Sequence, residues 1–172
     1  MKNHIFISVG SSIDRDRHIT AGLDALHQHF GTLELSPIYE SEAVGFKGDP
    51  FYNLVVAAYT DQSILAVNQL FKAIEQANGR VLGEKKCAAR TLDLDLLLYN
   101  DTVTEQPIAL PRDEILYHAF VLQPLADIAP DKTHPVTGQT YAHMWRNFDQ
   151  MSQGLWRIHF DWSAPIELKE PL

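Results

Sequence analysis

"AARTLDLDLLLY", residues 88–99, contains five leucines and a closing tyrosine, the composition of a strand bound for a protein core, yet Asp93 and Asp95 stand in its middle. Side chains alternate along a strand. The two acids therefore share one face, and Leu92, Leu94, Leu96 and Leu98 share the other. The leucine face is expected to pack on helices, while the aspartate face must meet water, a cation, or both. A rise of about 3.3 Å per residue separates the two aspartate Cα atoms by roughly 7 Å. At an effective dielectric of about 20 their repulsion is about 2 kcal/mol. A divalent cation between them turns that repulsion into attraction, and hard Mg²⁺ prefers carboxylate oxygen. Taken alone, the pair also fits edge-strand charges that discourage aggregation.

The flanking residues favour the metal. Arg90 stands just before the strand, Arg80 follows Gly79, and Lys85 and Lys86 lie between them. Two carboxylates beside four cations suit a magnesium–polyphosphate, with acids for the metal and bases for the phosphate oxygens. A solvated basic loop balancing an acidic chain is the plain alternative. "GRVLG" at 79–83 is not a Walker A loop, so phosphate would be held by side chains. His27 and His29 are too close on a helix to share a face, which argues against a zinc site. Cys87 has no cysteine or histidine beside it and is not read as a nucleophile.

Outward from this strand the pattern switches between periods of two and 3.6. "HIFISV" alternates Ile5, Ile7 and Val9 and ends at Gly10. His18 to Phe30 places Ile19, Leu23, Leu26 and Phe30 at helical spacing, with Gly31 as the stop. "TLELSPIYES" is extended, and Pro37 puts it at an edge or a bulge. "FYNLVVAAYT", 51–60, is a second long strand. Asp61 or Ser63 caps a helix with the stripe Ile64, Val67, Leu70, Phe71 and Ile74, closed by Gly79. The order strand–helix–strand–strand–helix–strand predicts a ferredoxin-like βαββαβ core of the α+β class, with an antiparallel sheet and helices on its faces. "PIALP" and "HAFVLQPLADIAP" read as extended and short helical pieces, and "LWRIHFDW", 155–162, as a late strand in a C-terminal extension.

The 172 residues are expected to form one domain spanning 1–172, with 155–172 as an extra strand and tail. Hydrophobic residues at 45% and charged residues at 21% are ordinary globular values, and a net charge of −8 argues against a broad grip on nucleic acid. A lone cysteine fits a reducing compartment, and the N-terminus reads as neither signal peptide nor membrane span, so a cytoplasmic protein without membrane contact is expected.

"ARTLDLDLLLY" closely resembles the signature of the 6-hydroxymethyl-7,8-dihydropterin pyrophosphokinase family, roughly G-P-R-T-L-D-L-D. The resemblance extends to "ISVGSSIDRDRHITAGLDAL", "YESEAVGFKGDPFYNLVV", "AIEQANGR" and "HAFVLQPLADIAP". It implies transfer of a pyrophosphoryl group from ATP to the hydroxymethyl of the pterin, releasing AMP, with two Mg²⁺ ions across the triphosphate. By position, Asp93 and Asp95 would hold the metals, and Arg80 and Arg90 would steady the phosphates. Asn53 would bond the pterin edge, Phe51 and Phe120 would stack on its ring, and Ser41 and Val44 would line it. Glu75, Arg112 and His118 fall on the nucleotide side. Without the resemblance, Phe51 and Phe120 read as core aromatics.

The sequence departs from the family pattern mainly on that nucleotide side: Leu82 replaces an arginine, Cys87 an aromatic, and Ala88 and Ala89 the Gly-Pro. Arg112 replaces a histidine and His118 an arginine; elsewhere Ser12 replaces an asparagine and Glu42 a proline. The resemblance implies an active pyrophosphokinase acting as a monomer or small homo-oligomer. The rival is a paralogue of reduced or shifted activity that binds pterin or nucleotide, and a metal-dependent phosphohydrolase is a more distant third.

Overall fold

The computed structural model describes residues 2–42, 50–79 and 91–165. The alternating segments are strands as expected: β1 (Asn3–Ser11), β3 (Ile38–Ser41), β4 (Phe51–Thr60) and β5 (Asp93–Tyr99). Pro37 divides the third predicted segment, leaving a two-residue β2 (Glu34–Leu35) ahead of β3, consistent with a residue that cannot donate to a ladder. Helix α1 (Arg15–Phe30) stops at Gly31, whose φ of 78° is readily reached only without a Cβ. Helix α2 (Ile64–Ala77) starts at Ser63, whose hydroxyl accepts the Ala66 amide at 3.1 Å.

The strands run β5-β1-β4-β3-β6, with β2 beside β4, and every pairing is antiparallel. Leaving aside the two edge additions β2 and β6, this is the order of the predicted ferredoxin-like core. Strand β6 (Leu155–Ile158) is the late strand of the sequence reading, and its partner is β3. After β5 come α3 (Glu114–Tyr117), α4 (Ala119–Ile128) and α5 (Tyr141–Arg146). The "HAFVLQPLADIAP" segment is thus chiefly one helix of ten residues, with Pro124 inside it.

The sheet separates two apolar clusters. Ile5, Ile7, Val9, Leu54, Val56, Leu94 and Leu96 pack with α1 and α2 on one face. Phe6, Val55, Ala57 and Leu97 pack with α3, α4 and α5 on the other. Leu98 belongs to this second cluster, which corrects the expectation that it shares a face with Leu92, Leu94 and Leu96. The cause is a bulge: Phe6 pairs with Leu98 while Ile7 pairs with Leu96, so Leu97 is an extra residue and the alternation slips by one beyond it. Asp93 and Asp95 precede the slip and keep their shared face. Among the described residues no helix is long and apolar enough to cross a membrane.

Candidate active site

Three strands bring the polar residues into line. Gly10 in β1 pairs with Asp93 on one side and with Asn53 on the other, and Asn53 pairs with Tyr39 of β3. Paired residues in a sheet point to the same face. The row Asp93–Gly10–Asn53–Tyr39 therefore crosses the face covered by α4, and a second row sets Asp95 beside Ser8. Phe51 is two residues from Asn53 and opposite Ser41, so both join this face at its far side. Adjacent strands lie about 4.8 Å apart, which separates the Asp93 and Asn53 backbones by about 10 Å.

Gly10 is required by this row. A Cβ built there would sit 2.6 Å from Asn53 Oδ1, so only glycine lets the amide lie over β1. Asn53 is 5% exposed, and its Nδ2 donates to Ser41 Oγ at 3.5 Å. Ser41 and Phe120, with residues 152–155, line a cavity of about 160 Å³. Phe120 is the second residue of α4, and one face of its ring is covered by His118, stacked at 4.6 Å.

At the acid end, Asp95 is raised to about 8, first because burial penalises its charged form and next because Asp93 repels it. Arg112 opposes the shift, while Glu114 and Glu75 add to it. Arg112 reaches Asp95 because its amide donates to the Leu97 carbonyl at 3.0 Å, anchoring the chain ahead of α3 on the bulged residue of β5. Its Nη2 then lies 3.2 Å from Asp95 Oδ1 and 3.2 Å from Glu114 Oε1. Glu75, on α2, is buried, and its Oε2 accepts the Leu94 amide at 2.9 Å. Strand β5 ends the sheet, so this bond satisfies an edge amide between the two aspartates. Glu75 thus braces the acid ledge as well as adding charge to it.

Of the residues singled out from sequence, Asp93, Asp95 and Arg112 gather at one end of this face, and Glu75 reaches the β5 edge beside them from α2 on the other face. Ser41, Phe51, Asn53, Phe120 and His118 gather toward the opposite end. Val44, Arg80 and Arg90 lie outside the described residues, as do Leu82, Lys85, Lys86 and Cys87. Sequence reading missed Gly10 and Glu114. Gly10 was legible as the strand-ending glycine of "SVGSS", whereas Glu114 carried no sequence signal linking it to Asp95.

The donor set fits a hard divalent cation. Asp95 holds its proton above the ordinary carboxylate range first because burial penalises its charge and next because Asp93 repels it, and a divalent cation would offset both. Among the described residues no group of three or more His, Cys, Asp or Glu side chains could hold a metal by itself. Mg²⁺ is commonly bound by one or two carboxylates completed by substrate phosphates, so a two-acid ledge meets that requirement.

The sequence was compared with known proteins. Residues 6–130 match the model of the family described as 7,8-dihydro-6-hydroxymethylpterin-pyrophosphokinase (HPPK). The 2-amino-4-hydroxy-6-hydroxymethyldihydropteridine pyrophosphokinase of Pseudomonas aeruginosa is 36% identical over 140 residues, 78% of this chain and 86% of that protein. Its Bacillus subtilis namesake is 31% identical over 155 residues, 85% and 92% of the two chains. The folic acid synthesis protein fol1 of Schizosaccharomyces pombe is 37% identical over 144 residues, 80% of this chain but only 20% of that longer protein. Among solved structures, wild-type Plasmodium falciparum HPPK-DHPS with pteroate superposes with a TM-score of 0.70 at 14% identity. The match covers 86% of this chain and 42% of that one, and it speaks for the fold alone. With its signature acids on one strand and a family match over more than two thirds of its length, the chain belongs to the 7,8-dihydro-6-hydroxymethylpterin-pyrophosphokinase family.

Proposed function

We propose that the chain transfers the pyrophosphoryl group of ATP to the hydroxymethyl oxygen of 6-hydroxymethyl-7,8-dihydropterin, releasing AMP, as a step of folate biosynthesis. The observation that carries this reading is the shared row through Gly10. It puts a carboxylate ledge and a buried amide on one face, about 10 Å apart, with Phe51 two residues from the amide and Phe120 lining a cavity with Ser41.

In this reading Asn53 pairs with the amide-like edge of the pterin, Ser41 and the Val44 backbone line it, and Phe51 and Phe120 flank its ring. The pterin is thereby held with its hydroxymethyl directed along the row toward Asp93 and Asp95. The hydroxyl oxygen forms a bond to the β-phosphorus, the bond from that phosphorus to the oxygen of the α-phosphate breaks, and the hydroxyl proton passes to water. Asp93 and Asp95 hold Mg²⁺, taken as two ions, whose chemistry is to neutralise the triphosphate and polarise the phosphorus under attack. Arg80, Arg90 and Arg112 supply positive charge where AMP departs, and Glu75 borders the nucleotide, while His118, expected on the nucleotide side, instead backs Phe120 at the pterin end. A soluble monomer or small homo-oligomer in the cytoplasm completes the reading, supported by the single cysteine and the acidic composition.

Nucleotide product analysis tests it. Incubation with ATP, Mg²⁺ and the dihydropterin is expected to give AMP and a pterin diphosphate in equal amounts. ADP as product, or pterin binding with no turnover, would contradict it.

A further inference from the structure

Residues 152–155 lie beyond the span that matches the family, yet the fold brings them to the pterin end of the face. Strand β6 pairs with β3 so that Leu155 stands opposite Ser41. The strand is fastened from the side as well. Glu40 accepts the Trp156 indole N–H at 3.0 Å and, through its other oxygen, the Arg15 guanidinium at 2.8 Å. The segment from Ser152 to Leu155 is thus held as one wall of the cavity that Ser41 and Phe120 also line.

Within that wall Gln153 uses both ends of its amide. Its Oε1 accepts the Ala119 amide at 2.8 Å, and its Nε2 donates to the Tyr117 carbonyl at 2.8 Å. These two backbone groups flank His118, which is extended (φ −111°, ψ 118°) where α3 ends and α4 begins. The Ala119 amide is one of the first-turn donors that a helix cannot satisfy internally, and the Tyr117 carbonyl lies at a helix end with the same need. One side chain therefore spans the junction, fixing the direction in which α4 starts. Phe120 is the second residue of that helix, with the His118 ring against it.

We propose that Gln153 is a positioning residue for pterin binding: by clasping the backbone on both sides of His118 it orients Phe120, and residues 152–155 close the pterin pocket from outside. The inference rests on the function proposed above and adds to it a wall that the family match does not include. It separates the two substrates, since the clasp acts at the Phe120 end and leaves the acid ledge untouched.

The test uses the full chain with Gln153→Ala and Gln153→Glu. Gln153→Ala is expected to raise the dihydropterin KM about tenfold, leave the ATP KM within about twofold, and speed amide exchange in residues 117–122. Gln153→Glu keeps the acceptor for the Ala119 amide but loses the donor to Tyr117, so it should fall between the two and carries the test should the alanine variant fail to fold. Faster exchange with an unchanged pterin KM, or equal rises for both substrates, would overturn the clasp while leaving the proposed function standing. Wild-type protein that neither binds nor turns over the dihydropterin would overturn both.

Discussion

Gly10 shows how one missing atom shapes the site. Its neighbour across the ladder, Asn53, is buried and lies with its oxygen 2.6 Å from where a Cβ would stand. Gly10→Ala must push the amide aside or deform β1, and overpacking of this kind costs about 1–3 kcal/mol. The expected result is a protein that folds with a lower melting temperature and a dihydropterin KM raised about tenfold or more; an unchanged KM would mean that Asn53 does not hold the substrate. Arg112 presents the opposite case, a group in a place a cation should take. Its guanidinium sits 3.2 Å from Asp95, where it would compete with the proposed metal ion. Arg112→Ala should therefore bind Mn²⁺ about tenfold more tightly in the absence of nucleotide, measured by loss of the free-ion paramagnetic resonance signal. It should also bind ATP more weakly. Unchanged or weaker Mn²⁺ binding would contradict this placement. Neither contact could be read from sequence, because each joins residues whose proximity depends on the assembled sheet.

At the scale of elements, periodicity and punctuation were enough to locate β1, β4, β5, α1 and α2, since each carries apolar residues at its own period and is bounded by a glycine, a cap or a polar turn. What escaped was the bulge at Leu97. Its consequence, a carbonyl that receives the Arg112 amide, is a property of the β1–β5 register rather than of the leucine run. The turn between α4 and α5 was also unread, although it contains a buried histidine with a definite role. His134 Nδ1 accepts the amides of Val136 and Thr137, both at 3.1 Å, and burial lowers its pKa from the usual value. A depressed histidine contributes stability that is present above the unfolded value of about 6.5 and is lost as pH falls through the folded one. His134 therefore pulls the melting temperature down between pH 7 and pH 5, opposing Asp95, whose raised carboxyl gains stability as pH falls below about 8. His134→Asn places an uncharged oxygen near the same two amides and should remove that pull. One of the same sign remains at His4, also lowered by burial and by Lys132. An equal slope in both proteins would remove His134 from the account.

For the whole molecule, the order of elements was sufficient to reach the βαββαβ topology, because a split βαβ arrangement follows from two helices crossing between alternate strands. The extension was legible as a strand but not as part of the site, since nothing in "LWRIHFDW" names β3 as its partner or Ser41 as the residue opposite Leu155. The site itself was legible only in pieces. Asp93 and Asp95 stood out because acids contradict a core strand, while Asn53 and Phe120 gained meaning from family resemblance and then from the face they share. That common face ties the account together, with the proposed metal ledge and the proposed flat-ring pocket set about 10 Å apart by the spacing of three strands. Its most direct test is the rate of AMP formation from ATP and 6-hydroxymethyl-7,8-dihydropterin across a Mg²⁺ titration, for wild type and Asp95→Ala side by side. The account predicts Mg²⁺-dependent AMP formation by the wild type and at least a thousandfold slower rate in the variant, about 4 kcal/mol of transition-state stabilisation. A variant that kept the full rate, or a wild-type rate indifferent to Mg²⁺, would contradict it.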